Sequence, residues 1–292
     1  MLFGIIAVIA AVLNGQGGFT EALASLANVS DPAYTQPGIF ASFFGTDFAS
    51  LIGVVILTSL GTMGLPQMVH KFYAIKDERS IKTGTIVSTF FALVVAGGSY
   101  FLGGFGRLLS GNPGIYSESG AVAYDNIIPQ MLAPLGDILI GVVVVLVLSA
   151  SMSTLSSLVL TSSSTLTLDL IKPIFMKKME NKKQLFTMRL FIVFFIALSV
   201  IIAMNKNTFI AQLMGYSWGA LAGSFLGPFL YSLYSRKVTK VAVWVSFASG
   251  VGITVTNMLF GYISSPINAG AIAMVASLIL VPLVSLFTPK QS

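Results

Sequence analysis

Serine and threonine crowd residues 149–167, which read Ser-Ala-Ser-Met-Ser-Thr-Leu-Ser-Ser-Leu-Val-Leu-Thr-Ser-Ser-Ser-Thr-Leu-Thr. Ser149, Ser153, Ser156 and Ser157 are spaced by threes and fours, which sets them on one face of a helix. Neutral hydroxyl oxygens, joined by carbonyls freed from a helix, form a donor set suited to a hard cation such as sodium. Hydroxyls in apolar helices also bond back to their own backbone. Back-bonding is the expectation for Ser162 to Thr167, whereas both readings stand for the face from Ser149 to Ser157.

A second set of residues lies at 57–67, Leu-Thr-Ser-Leu-Gly-Thr-Met-Gly-Leu-Pro-Gln. Pro66 removes a helix donor and crowds the preceding turn. Gly61 and Gly64 lower the cost of unwinding beside it. Transporters build ligand sites at such interruptions, and in lipid a break persists only where protein or a wet cavity satisfies the backbone. A plain proline kink is the alternative. The polar neighbours Thr58, Ser59, Thr62 and Gln67 favour a cavity-lining break, so Gly61, Thr62, Met63, Gly64 and Gln67 are assigned to a solute path. A third stretch places Gly215, Gly219, Gly223 and Gly227 every four residues, a ridge for close helix packing, followed by Pro228. Tyr216 and Trp218 are assigned to the outer end of the same path.

Other chemistries lack their raw material. The chain has no cysteine and one histidine, His70. That removes disulfides, thiolate metal sites and histidine-based triads. No catalytic residue is assigned, no metal beyond sodium is expected, and the chain does not read as an enzyme.

The elements that must position these residues follow from composition. Of 292 residues, 55% are hydrophobic and 9% charged, against roughly 25% charged in a soluble domain. Mean hydropathy is +0.90. A soluble enzyme, a nucleic-acid binder and a disordered scaffold are excluded; the chain reads as an all-α membrane protein lying in a lipid bilayer. Apolar runs near 1–14, 48–70, 83–106, 136–160, 187–204, 208–234, 241–262 and 267–287 give about eight transmembrane segments, the first only a partial helix. Residues 15–47 and 107–135 read as external loops, with a short helix expected over 123–132.

Charge sorts by side. The chain carries a net +6, and of its 16 basic residues only Arg107 and Lys206 lie off the alternate loops that hold the rest. Glu21, Asp31, Asp47, Glu118 and Asp125 occupy the opposite side. The positive-inside rule then gives a multi-pass protein of the cell membrane, as of a bacterial plasma membrane, with its C-terminus in the cytoplasm. Nucleic acid is not needed to explain the charge, and the sequence carries no signal for an oligomeric state.

Three stretches, Gly64-Leu-Pro-Gln-Met-Val-His-Lys-Phe72, Ala150-Ser-Met-Ser-Thr-Leu-Ser-Ser157 and Gly223-Ser-Phe-Leu-Gly-Pro228, resemble the solute:sodium symporter family. The family transports proline, sugars, sialic acid, pantothenate and short carboxylates. The resemblance implies part of a five-plus-five inverted-repeat transporter fold, running from core helix five through ten with two additional C-terminal helices at 241–287. Residues 48–70 would be the broken core helix six and 136–170 the sodium-site helix eight. It further implies a sodium site from the Ala150 carbonyl and the Ser153 and Thr154 hydroxyls. A possible second sodium would take Ser153, Ser156 and Ser157 with an aspartate from core helix five. No cofactor is implied other than Na+ as coupling ion, and the partner is a small-molecule solute.

The sequence departs from the pattern at Pro66-Gln67, where many relatives carry Pro-His. Core helices one to four have no counterpart here, and no acid precedes Glu21 to serve the second sodium. The chain therefore reads as an incomplete portion of a symporter. The alternative from another class is a channel or membrane sensor without coupled transport. The carbonyl filter repeat and charged ring of a channel are both missing.

Overall fold

The computed structural model describes residues 2–30, 36–72, 75–117, 120–204, 210–235 and 237–288, with backbone alone for 70–72. The expectations resting on the His70 and Lys71 side chains, and on Asp31, Glu118, Lys206, Arg236 and Lys290, lie outside the described residues. The helices are α1 (Leu2–Gly15), α2 (Phe19–Ala27), α3 (Phe48–Gly64), α4 (Pro66–Phe72), α5 (Glu78–Gly104) and α6 (Tyr124–Leu132). They continue as α7 (Asp137–Thr165), α8 (Lys172–Ile174), α9 (Asn181–Met204), α10 (Ile210–Tyr234), α11 (Lys240–Phe260) and α12 (Pro266–Phe287). No strand occurs among the described residues.

Among the described residues, five helical stretches are long and apolar enough to cross a bilayer: Glu78–Leu109, Asp137–Ile174, Asn181–Met204, Lys240–Phe260 and Pro266–Phe287. Helices α1 and α2 pass that test only as a pair bent by 65°, which would make six. The chain is an all-helical, multi-pass membrane protein, with fewer unambiguous spans than the eight expected. The run 48–70 accounts for part of the difference. It divides into helices of 17 and 7 residues, each short of the roughly 20 residues that cross hydrocarbon. The 14-residue α1 is short for the same reason. In α10 the glycine ridge and its interleaved serines and tyrosines dilute the apolar character.

Helix starts follow side-chain caps. The Asp77 carboxylate accepts from the Ser80 N–H at 2.7 Å and opens α5. Hydrogen bonds from the Ser80 hydroxyl and amide hold that carboxyl below the ordinary carboxylate value. Asp47 caps α3 in the same way through Ser50. Residues 15–47 contain α2 and a 3₁₀ turn at Ile39–Ala41, and 107–135 contain α6.

The described chain divides into two compact units, 1–8 with 133–207, and 9–132 with 208–292. In the first, α7 packs on α9. Past Thr165, α7 loosens into a π-helical turn over Leu166–Ile171. Ser163 and Thr167 are fully buried there, and the Thr167 hydroxyl oxygen is buried with no hydrogen-bond partner among the described residues. Lys172 Nζ donates to Gln184 Oε1 at 3.1 Å, tying the start of α8 to α9.

In the second unit, α3, α10, α11 and α12 form a bundle around Leu57, Ala222, Leu226 and Met274. The glycine ridge of α10 is the seam. A methyl group on Gly219 would stand 2.6 Å from the Gly270 Cα, and one on Gly223 would stand 2.9 Å from the Ala273 Cβ. Backbones this close gain dispersion contact that larger side chains would forbid, which is how helices associate where lipid removes the hydrophobic drive.

Candidate functional site

The hydroxyl-rich helix α7 begins at Asp137, where β-branched and leucine residues, interrupted by Gly141, give a long apolar rod before the serines start. The rod presents its serine face openly. Ser153, Thr154, Ser156 and Ser157 are all exposed, and Ala150 is half-buried. Val145, Leu148, Ser149, Met152, Ser153 and Ser156 line an open groove of about 490 Å³. Thus the three- and four-residue spacing brings Ser149, Ser153 and Ser156 to one groove, while Ser157 and Thr154 stand outside its lining.

The hydroxyls on this helix turn back onto it. Ser153 Oγ donates to the Ala150 carbonyl at 3.2 Å, Ser156 Oγ to the Met152 carbonyl at 2.7 Å and Ser157 Oγ to the Thr154 carbonyl at 2.9 Å. A hydroxyl has one proton and two lone pairs. Donating the proton inward leaves each oxygen free as an acceptor, which is the property a cation uses. Ser163, assigned to structure, also donates backwards, to Leu160 at 3.0 Å, but it is buried. Exposure, not the back-bond, distinguishes Ser163 from Ser153, Ser156 and Ser157.

The expected unwound segment from Gly61 to Pro66 is narrower than the sequence suggested. Gly61 and Gly64 belong to the regular helix α3, and Leu65 alone is extended, with ψ of 120°. Proline disfavours helical backbone in the residue before it and accepts the first position of a new helix; Pro66 accordingly opens α4. The two glycines serve contact with α10 and the core beside it. A methyl on Gly61 would meet the Trp218 ring at 2.9 Å and Met274 at 3.2 Å, and one on Gly64 would meet Ala222 Cβ at 2.8 Å. Trp218 packs against the bundle core and Tyr216 is half-buried. Of the residues assigned to the solute path, Met63 is exposed, Thr62 and Gln67 are half-buried, and Gly61 and Gly64 are buried. Thr58 and Thr62 share this open side of α3 with Ser59, and their hydroxyls donate to the Val54 and Ser59 carbonyls.

Of the prolines in the helices of this unit, Pro66 and Pro228 are treated differently. Pro228 has no N–H for the Ser224 carbonyl four residues earlier. Ser246 of α11 replaces it, donating to the Ser224 carbonyl at 3.0 Å. Because the Ser246 proton is used, the 2.7 Å contact to Ser277 of α12 must have Ser277 as donor. Ser277 Oγ in turn accepts from the Gly227 N–H at 2.9 Å. A directed relay therefore runs from Gly227 N–H through Ser277 and Ser246 to the Ser224 carbonyl, and Ser224, Ser246 and Ser277 are all buried. Pro66 likewise leaves the Thr62 carbonyl without its helix donor, yet no side-chain donor among the described residues reaches it. The α10 kink is closed and structural; the α3–α4 break keeps an available carbonyl. Sequence reasoning missed Ser246 and Ser277, each one of two serines in an apolar helix with no local signal to single it out. Pro228 was the one pointer to them, since its orphaned carbonyl required a donor from somewhere.

Comparison with known proteins agrees with these features. The profile of the sodium:solute symporter family matches residues 1–250. The chain is 30% identical over 234 residues to the high-affinity proline transporter PutP of Bacillus subtilis, covering 77% of this chain and 45% of that protein. It is 25% identical over 254 residues to the sodium/pantothenate symporter of Haemophilus influenzae, covering 86% and 50% respectively. The sodium/proline symporter of Salmonella typhimurium is 24% identical over 269 residues, covering 90% and 51%. The chain spans about half the length of the curated relatives it matches. With a family profile matched across most of its length, the chain belongs to the sodium:solute symporter family.

Proposed function

We propose that this chain takes part in sodium-coupled symport of a small organic solute across the cell membrane, by alternating access within a five-plus-five inverted-repeat fold. The carrying observation is the open face of α7, where Ser153, Ser156 and Ser157 each leave an oxygen free as acceptor. In this reading the Ala150 carbonyl, Ser153 and Thr154 hold the coupling sodium, and Ser156 and Ser157 contribute to a second. Ser153 rotates its proton away from the Ala150 carbonyl as the ion arrives, so that both oxygens turn to the ion. Neutral ligands suit a carrier because the ion must also leave. The solute belongs to the class that includes proline and pantothenate, the solutes named in relatives. It is read at the Leu65 break, where the Thr62 carbonyl is available and Met63 and Gln67 border it. The charge pattern supports a cytoplasmic C-terminus. A channel is not favoured, since the named relatives are transporters.

The test is sodium-dependent uptake of radiolabelled proline and pantothenate by cells expressing the gene that carries this sequence. Thr154→Val and Ser153→Ala remove one oxygen while nearly keeping volume. Losing a neutral partner of a buried ion costs about 1–3 kcal/mol. At roughly 1.4 kcal/mol per tenfold, half-saturating sodium rises from about fivefold to about a hundredfold. Solute affinity at saturating sodium changes much less. Ser163→Ala, at a buried hydroxyl further along the same helix, leaves the sodium dependence alone. Unchanged sodium dependence in both active-face variants would overturn the assignment.

A further inference from the structure

Between the two apolar stretches Asp137–Ile174 and Asn181–Met204 the chain turns within residues 175–180, so this turn is pinned at one face of the membrane. It is an ordered turn: Phe175 N–H donates to the Ile171 carbonyl at 2.9 Å, and Met179 is buried. Its outer surface combines two features that water alone does not favour together. Ile174, Phe175 and Met176 are exposed by 59%, 74% and 52%, and Phe186 at the start of α9 by 70%. Among them stand Lys177, Lys178, Lys182 and Lys183, with Glu180 the lone acid. None of these four lysines forms an ion pair among the described residues. Phe175, Lys177, Lys178, Glu180 and Lys183 help line a single open hollow of about 510 Å³.

We propose that this hollow binds the headgroup of an anionic phospholipid. Lys177, Lys178 and Lys183 hold the phosphate, and Ile174, Phe175 and Met176 enter the boundary of the acyl chains. Retention of positive charge on one side of the membrane explains lysines in the loop, but not their grouping around one hollow beside an exposed aliphatic-aromatic triplet. Depth agrees. One apolar stretch ends at Ile174, which sets Ile174 to Met176 at the hydrocarbon edge; α9 is apolar from Leu185 onward apart from Thr187, Arg189 and Ser199, so at about 1.5 Å per residue Glu180 lies about 8 Å beyond that edge. That is the outer part of a headgroup layer roughly 5–8 Å thick, within reach of lysine side chains. Arg189, one turn deeper, has the stem length to extend its charge outward to the same layer.

The experiment is native mass spectrometry of the purified chain in neutral detergent, titrated with dioleoyl phosphatidylglycerol or dioleoyl phosphatidylcholine. Phosphatidylglycerol is retained in preference to phosphatidylcholine, and millimolar inorganic phosphate does not displace it. Each of K177Q, K178Q and K183Q weakens retention roughly fivefold, and the triple variant about a hundredfold. Substituting K76Q, R79Q and K82Q together, in the other basic stretch, changes it less than twofold. The single variants keep the test decisive if the triple fails to fold. Equal retention of the two lipids, displacement by inorganic phosphate, undiminished binding by the single variants, or equal loss in the control variant would each overturn the proposal.

Discussion

Replacing Ser246 by alanine tests the relay across the α10 kink. The substitution removes the donor to the Ser224 carbonyl and the acceptor for the Ser277 hydroxyl, two groups buried where no water replaces them. A buried polar group left unpaired costs about 1–3 kcal/mol. Hydrogen bonds between membrane helices average nearer 0.6 kcal/mol because the unfolded chain also finds partners. With two groups orphaned and almost no volume lost, Ser246→Ala is expected to destabilise the chain by about 1–2 kcal/mol. The decisive arm is Pro228→Ala. Residue 228 then has an N–H to return to the Ser224 carbonyl, so one of the two orphans is satisfied by the helix itself. In that background Ser246→Ala is expected to cost about half as much, a coupling of about 0.5–1 kcal/mol. The assay is reversible SDS unfolding in mixed micelles, followed by circular dichroism, for the four members of the cycle. Additive costs, with coupling under about 0.3 kcal/mol, would refute the claim that Ser246 substitutes for the missing proline donor.

Two further outcomes follow from contacts and charge. Gly64→Ala would place a methyl 2.8 Å from Ala222 Cβ and is expected to destabilise the α3–α10 contact by about 1–3 kcal/mol; Gly84→Ala, which meets nothing within 4 Å, is expected to be neutral or slightly stabilising in the same unfolding assay. A Gly64 variant as stable as its parent would mean that α3 is not seated on α10 as described. Cysteines at Lys178 and Glu21 are expected to react with impermeant thiol reagents from opposite sides, Lys178 from the cytoplasm, and labelling of both from one side would refute the alternating topology.

The all-helical class, the bilayer setting and the candidate ion helix were legible in residue order alone, for a direct physical reason. Lipid contains no water to satisfy peptide groups, so a long apolar run becomes helix whatever packs beside it. The three- and four-residue spacing then puts Ser149, Ser153 and Ser156 on one face because helical periodicity is local. Proline carries a local rule too, so a break near Pro66 was readable, as was a short helix over 123–132. What residue order left open was everything that depends on which neighbour arrives. Gly61 and Gly64 looked like aids to unwinding, yet they are contact surfaces, because whether a glycine bends a helix or admits another depends on α10 being there. Prolines 66 and 228 are alike in sequence, and only the bundle separates them. Ser246 and Ser277 come from helices 18 to 49 residues further along and close the second break, while no comparable side chain among the described residues meets the first. The tertiary structure decides which orphaned carbonyl is satisfied, since a hydrogen bond acts over about 3 Å and sequence distance places no donor there.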